Sequence, residues 1–434
     1  MDWRGDEAGI REGTIRGVKI TLLTYGSRGD VQPFAALARE LMQRGHQVRL
    51  AAPHRFAELV EGSSIPFVPL AGDPEEISRR MNASGSNVLR MVRGMRDYIL
   101  SIAGEVARGA FGACEGAGLI VHSFLFTVGA HSLARQMGIP DISAQLFPMF
   151  YPTKEFPNVA LPQVPRGALS WFTHWLANRI FWYGGSSGFT RLRREYPGAL
   201  PRKLYWPFKD SAGRRRTPML GAWSPGVLPR PQDWPEQAVE ITGYWFLDPP
   251  EDYQPPAELA DFLAAGERPV CISFGSMIHP GARSLTDEVM EALTTTGRRA
   301  VILTGWQDWE VKPREEVLFL PGAPHAWLFP RCRAVVHHGG AGTTGAGLRS
   351  GVPNIILPFT GDQFFWAQRL HELGLMRKPL RVERLTAGWL AAALEETEAR
   401  EMRERARQLG AQIERERGVE QAAAFIERWA AEKL

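Results

Sequence analysis

An α/β fold of two Rossmann-like domains is what the sequence predicts, and three observations predict it. Apolar runs of strand length alternate with segments whose apolar residues recur at helical spacing, the pattern of parallel sheets covered by helices. The alternation occurs in two independent series. A Pro-rich stretch, LDPPEDYQPPAE (Leu247 to Glu258), parts them as a stiff linker. The expected division is residues 1–248 as the first domain, 249–258 as the linker, 259–410 as the second domain, and 411–434 as a C-terminal helix, with packing on either domain open and a return to the first among the expectations. With 434 residues, 44% hydrophobic and 23% charged, the chain can bury two cores and is not disordered.

The first series opens with VKITLLTY (Val18 to Tyr25), an apolar run suited to a strand buried on both faces. QPFAALARELMQRGH follows with helical periodicity and Gly45 as its stop, and QVRLAAP is a second strand. GLIVHS, TVGAHSLARQMG and IPDISAQLF repeat strand, helix and strand. In the second series, RPVCISFGSM is a strand entering a Gly-Ser turn, SLTDEVMEALTTTGR a helix and RAVILTGW a strand. RAVVHHGGAGTT is a strand into a Gly-rich turn, and VPNIILPF is one more strand. The tail from Arg400 is charged, helical and amphipathic. ALSWFTHWLANRIFWYGGSSGF (Ala168 to Phe189) is dense in Trp and Phe, and three readings stay open for it: core helix, wall of an apolar pocket, or membrane-surface helix.

Composition excludes several function classes. Lys and Arg number 51 against 47 Asp and Glu, a net charge of +4 with no long basic tract. Arg214 to Arg216 is a short solvated cluster, so no nucleic-acid partner is expected. Cys114, Cys271 and Cys332 lie far apart and read as free thiols in a reducing compartment. The N-terminus lacks the apolar core of a secretory signal, and no stretch approaches about 20 consecutive apolar residues. The expectation is a cytoplasmic protein, with peripheral membrane contact through the Trp-rich segment.

Two loops carry candidate chemistry. In AVVHHGGAGTTG (Ala334 to Gly345) a strand ends in glycines and Thr-Thr opens a helix, so backbone N–H groups form an anion site suited to a diphosphate. Gly340-x-Gly342-x-x-Gly345 with Asp362 roughly twenty residues on also satisfies a dinucleotide fingerprint. That match is weak alone, because His337-His338 replaces the usual apolar residues. Adjacent strand residues point to opposite faces, so one histidine at most faces a ligand; His338 is read as the phosphate donor and His337 as packed inside. In TLLTYGSRGDVQP (Thr21 to Pro33), Asp30 is either a helix N-cap or a working acid, and spacing leaves both open. Its Arg28-Gly29-Asp30 tripeptide is not read as an adhesion motif.

PHAWLFPRCRAVVHHGGAGTTGAGLRSGVPNIILPFTGDQFFWAQRL (Pro324 to Leu370) resembles the donor-binding signature of nucleotide-sugar-dependent glycosyltransferases of the GT-B fold, family 1. It is most similar to the sterol 3-β-glucosyltransferase branch, and next to the bacterial glycopeptide and macrolide enzymes. GSRGDVQPFAALARELMQRGH, the FGSM turn and TGYW (Thr242 to Trp245) fit the same family in order.

The resemblance implies a UDP-sugar donor and a hydrophobic, hydroxylated acceptor. It implies that His338, Gly340, Gly342, Thr343, Thr344 and Ser276 hold the diphosphate, and that Asp362 and Gln363 bind the transferred sugar. Trp306, Pro324 and His325 border the base. The acceptor falls to the first domain, with Phe147, Phe150, Tyr151, Phe156, Trp171 and Trp182 as candidate wall. Two departures matter: the Trp and Glu that hold base and ribose in plant-type members are Gly322 and Ala346 here, which leaves UDP against dTDP open. Where plant relatives carry a catalytic His, the sterol and antibiotic branches carry Asp, here Asp30. It would act as general base for an inverting transfer, its pKa raised by desolvation. No Asp-x-Asp pair is present, so neither metal nor other cofactor is expected. Alternatives are a dTDP-sugar enzyme of natural products, an NAD-dependent oxidoreductase, and a binding protein with a dead site.

Overall fold

The computed structural model describes residues 10–11, 14–15, 17–76, 88–161, 164–186, 188–198, 200–208, 217–235, 238–275, 277, 282–305, 309 and 314–434. After a small antiparallel hairpin, β1 (Ile10–Arg11) and β2 (Thr14–Ile15), the first domain is a seven-stranded parallel sheet in the order β5-β4-β3-β6-β7-β8-β9. Its strands are β3 (Lys19–Leu23), β4 (Gln47–Pro53), β5 (Phe67–Leu70), β6 (Leu119–His122), β7 (Asp141–Gln145), β8 (Met219–Gly221) and β9 (Val239–Ile241). The second domain is a five-stranded parallel sheet in the order β12-β11-β10-β13-β14. These are β10 (Val270–Ser273), β11 (Ala300–Leu303), β12 (Val317–Leu320), β13 (Ala334–His337) and β14 (Asn354–Ile356). This is the expected two-domain α/β architecture. The central strands β3, β6, β10 and β13 are nearly free of exposed surface, as strands covered on both faces must be.

In each sheet the chain builds outward in one direction from its first central strand, then returns to build the other way. The reversal falls between β3 and β6 in one sheet, and between β10 and β13 in the other. Crossovers on either side of such a point leave a crevice at the strand C-termini. Helix α1 (Arg28–Gln43) starts at the first crevice. It begins four residues before the periodicity suggests, because Ser27 caps it and Asp30 reaches back from the third helical position.

The remaining helices are α2 (Val88–Gly112), α3 (Thr127–Met137), α4 (Ala168–Ser186), α5 (Phe189–Glu195), α6 (Ala257–Ala264), α7 (Ala282–Thr296), α8 (His325–Leu328), α9 (Ala341–Arg349), α10 (Gln363–Glu372), α11 (Ala387–Glu396), α12 (Arg400–Glu416) and α13 (Gly418–Lys433). The tail is two helices, broken at Arg417, whose φ of 50° is left-handed. The crossover fits only glycine at 418, where a Cβ would lie 2.4 Å from the Tyr244 carbonyl oxygen. Helix α13 then packs on the first domain. Ala422, Ala423, Ile426 and Ala430 complete the core formed by Phe34, Leu37 and Leu41 of α1 and Leu50 of β4. Buried Glu427 accepts from Arg44 (3.1 Å) and meets His46 (3.2 Å).

Cys114, Cys271 and Cys332 are buried free thiols. Among the described residues no helix is long and apolar enough to cross a membrane, and no group of three or more His, Cys, Asp or Glu is placed to hold a metal ion.

If α13 completes that core, Ile426→Ala should lower unfolding free energy by about 2–5 kcal/mol, the usual cost of such a cavity. Urea titration checks it, and a change below about 0.5 kcal/mol would mean the helix is not part of the folded core.

Candidate functional site

The two crevices face each other across one cleft of about 2340 Å³, lined from both domains. That exceeds the roughly 300–1,000 Å³ of an ordinary small-molecule pocket and has room for two substrates. The cleft narrows where α1 and α9 meet end to end: a Cβ on Gly342 would lie 3.5 Å from Gly29 Cα. Two helix N-termini, each with unpaired N–H groups and a partial positive charge, therefore converge on one point.

On the first-domain side, Asp30 Oδ2 accepts from the Ser27 amide (2.7 Å) and the Ser27 hydroxyl (3.0 Å). Both bonds use one oxygen, and Oδ1 has no protein partner among the described residues. The carboxyl is half-buried. Dehydration in the cleft pushes its pKa from 3.8 to about 6, against the pull of the two Ser27 bonds. Asp30 is thus part of a capping box rather than the N-cap itself, and the cap holds it in one orientation.

On the second-domain side, β13 ends in His337 and His338. His337 is fully buried; its Nδ1 accepts from the Gly339 amide (3.1 Å), so its Nε2 carries the proton and meets Asn354 Oδ1 (3.1 Å). His338 faces the cleft between Gly275 and Gly340, where a Cβ would fall 3.2 Å and 2.6 Å from its ring. Burial holds its pKa down to about 4, with the Ser273 carbonyl opposing, so the ring is neutral at pH 7. Its Nδ1 has no partner among the described residues.

Asp362 stands at the N-cap position of α10, without a side-chain cap bond, and accepts from the Trp366 indole (3.0 Å). Burial first, and then the Asp30 charge, raise it to about 7, while Trp366 and the Ala341 amide pull the other way. The two carboxylates belong to different domains yet feel each other's charge.

Asp30, His338, Gly340, Gly342, Thr343, Asp362, Gln363, Pro324 and His325 all line this cleft. Ser276 and Trp306 lie outside the described residues. Thr344 turns inward, fully buried, its hydroxyl without a partner. Gln363 spends Oε1 on the amides of Phe359 (2.7 Å) and Thr360 (3.0 Å), which fixes the loop after β14. His325 stacks on Phe329 at 4.3 Å, and burial lowers its pKa to about 4.

Among the six aromatic residues expected on the acceptor wall, Phe147 alone lines the cleft. Phe150 is core, against Phe181 and Phe208; Phe156 packs on Trp234 and Phe365, and Tyr151 on Trp234. Trp171 points to solvent, and Trp182 packs edge-on to Trp206. Aromatic density marks a core as readily as a pocket, so it misplaces these five. The first-domain side of the cleft is instead lined by Phe124, Leu125, Phe126, Leu146 and Phe181, with Phe124 and Phe147 5.1 Å apart. A signal for them existed: SFLF (Ser123 to Phe126) follows β6 at the same crevice that Asp30 occupies after β3.

Residues 20–151 match the N-terminal domain model of glycosyltransferase family 28, and residues 315–418 match the erythromycin biosynthesis protein CIII-like C-terminal domain. The chain is 32% identical over 419 residues to a sterol 3-beta-glucosyltransferase of Arabidopsis thaliana, covering 94% of this chain and 67% of that protein. It is 34% identical over 432 residues to a protein of the same name from Neurospora crassa, covering 95% of this chain. A third, from Yarrowia lipolytica, is 36% identical over 425 residues and 94% of this chain. The chain spans only 27% and 28% of these two fungal relatives. Among solved structures, the kitacinnamycin glycotransferase superposes with a TM-score of 0.69 at 20% identity, covering 95% of this chain and 99% of that one. The calicheamicin glycosyltransferase gives 0.65 at 18%, covering 96% and 99%. At such identities the likeness shows the fold alone, and that fold is GT-B.

The raised carboxyls make a stability prediction. An acid whose folded pKa lies above its unfolded 3.8 destabilises the fold once it ionises, so the cost is full above about pH 7 and absent below about pH 4. Asp362→Asn and Asp30→Asn should each melt higher than the parent at pH 8, with the difference shrinking toward pH 4. Melting curves across that range check it; an equal offset at both ends would mean that ionisation is not the cause.

Proposed function

From the premise that the chain belongs to the glycosyltransferase family of the sterol 3-beta-glucosyltransferases, we propose that it is an inverting hexosyltransferase. It moves glucose from UDP-glucose to the hydroxyl of a sterol-like or other bulky apolar alcohol. The observation that carries this reading is the placement of Asp30, oriented through one oxygen and open at the other, opposite a neutral imidazole and a helix N-terminus. The family's relatives that match along the whole chain carry the sterol name, and the apolar wall around Phe124 and Phe147 suits such an acceptor. Family membership leaves the dinucleotide reading of Gly340 without support.

In the reaction the acceptor hydroxyl attacks the anomeric carbon, the C–O bond to the diphosphate breaks on the opposite face, and Asp30 Oδ1 takes the hydroxyl proton. A carboxylate with pKa near 6 is ionised at neutral pH yet basic enough to accept that proton late in bond formation. The leaving diphosphate gathers negative charge at the start of α9. The Gly342 and Thr343 amides, the Thr343 hydroxyl and the His338 ring are the donors this reading assigns to it, the Thr344 amide being bonded to the Gly340 carbonyl. Asp362, with its neighbour Gln363, binds hydroxyls of the glucose. Base and ribose rest on the Pro324–His325 segment, with Gly322 and Ala346 lining the cleft there without polar side chains. These groups supply the stabilisation without a metal. We place the protein in the cytoplasm, as its three free buried thiols suit, with peripheral contact at a membrane.

Mass spectrometry of a reaction of UDP-glucose with sterols, flavonoids and macrolides tests this reading. A hexose should be added to the sterol class, be competed better by UDP than by dTDP, and be insensitive to EDTA. Asp30→Asn should lower kcat by about 10²–10⁴-fold while leaving UDP protection against thermal unfolding intact. The parent's kcat/KM should rise with pH through an apparent pKa near 6 and then level off. Absence of both product and UDP binding would sink the proposal.

A further inference from the structure

Helix α4 is built inside out. Its buried residues are Ser170, Thr173, His174, Ala177 and Asn178, polar but for one, and each polar side chain makes at least one hydrogen bond. Ser170 donates to the Pro165 carbonyl (3.1 Å), and Thr173 accepts from the Asn158 amide (2.8 Å). His174 meets the Phe156 carbonyl (3.1 Å), and Asn178 donates to that of Phe150 (3.2 Å). The opposite face carries the apolar side chains: Phe172 46% exposed, Trp175 39%, Ile180 55% and Tyr183 69%, with Leu169 and Trp171 beside them. Phe172 and Trp175 stack at 5.5 Å. A helix folded for water alone puts these faces the other way round. A contiguous apolar face of this kind marks an interaction surface.

Charge decides what covers it. Between Arg166 and Phe208 the sequence holds seven basic residues (Arg166, Arg179, Arg191, Arg193, Arg194, Arg202, Lys203) and one acidic, Glu195; Arg191 pairs with Glu195 and Arg166 with Glu372, which leaves the surface net positive. Two copies of such a surface repel, whereas an anionic bilayer attracts it. Arg179 lies over Trp175 (5.4 Å) and Trp206 (5.0 Å), a cation held against rings that suit a headgroup boundary. The patch also runs into the cleft: Ile180, Phe181 and Tyr183 at the end of α4, and Leu125 beside them, line its first-domain side.

We infer that α4 docks the protein on an anionic lipid surface, with its aromatic face in the headgroup–acyl boundary and the cleft mouth held at that surface. An apolar acceptor then enters from the bilayer along α4, a path that rests on the function proposed above, whereas vesicle binding does not.

Flotation with vesicles of phosphatidylcholine alone, and of phosphatidylcholine with about 30% phosphatidylserine, tests it. The parent should float with the anionic vesicles, and binding should fall as salt rises from about 0.1 to 0.5 M. The exposed double variant Phe172→Ser/Trp175→Ser should bind roughly tenfold or more weakly, with its melting temperature unchanged. Its transfer to a cyclodextrin-delivered sterol should match the parent; failure of both proteins there would count against the proposed function only. A parent that stays at the bottom of the gradient, or a double variant that floats equally, would overturn the docking. So would a parent dimer by light scattering that the variant abolishes, since α4 would then join two copies.

Discussion

The meeting of two helix N-termini at Gly29 and Gly342 is the constraint on which the rest of the site depends. Helix ends repel like charges of the same sign and leave N–H groups unpaired, so two of them brought together favour an anion between them. Asp30 and Asp362 are the carboxyl groups at this point, both with raised pKa, the first held by the Ser27 capping box and the second by the Trp366 indole. Glycine occupies both positions, and the Gly29 backbone lies at van der Waals distance from where a Gly342 Cβ would sit.

Around that point polarity is divided between side chains with open capacity toward the cleft and those which hold the loops. His337 and Asn354 bond each other and set the turn after β13, whereas Gln363 serves both ends, its Oε1 holding the loop after β14 and its side chain lining the cleft. His338 and Asp30 Oδ1 keep unspent capacity. A second polar network lies under the first sheet, where Asp141 joins His122 (3.1 Å), His131 (3.1 Å) and Thr217 (3.0 Å). Its carboxyl is held well below the ordinary range by the two histidines, against the opposing effect of burial. It ties β6, β7 and α3 together behind the apolar side of the cleft without reaching it.

How much of this was legible in the sequence follows from which physical rules are local. Strand runs and helical periodicity are local, so the two sheets and the Gly-rich turn could be read directly. The short β8 and β9 could not, because three residues carry no period. Asp30 was legible through its position after β3, but its place in a capping box needed Ser27 to be weighed as the partner three residues earlier. Phe150 and Phe156 were misassigned because the distinction between core and wall is set by what packs on the other side, here Phe208, Trp234 and Phe365, which are distant in sequence. Gln363 was legible as a cleft residue, while its role in holding Phe359 and Thr360 emerges only from the folded loop.

The return of α13 to the first domain has a consequence for how the chain reaches this state. Arg44 and Glu427, which meet in the finished core, are 383 residues apart. At a synthesis rate of about 5–20 residues per second, roughly 20–80 seconds pass between the appearance of one and the other. Throughout that interval the apolar faces of α1 and β4 that α13 will cover stand open in the nascent chain. The first domain cannot finish as an independent unit during translation, and its earliest residues wait in a sticky, chaperone-accessible form for the latest.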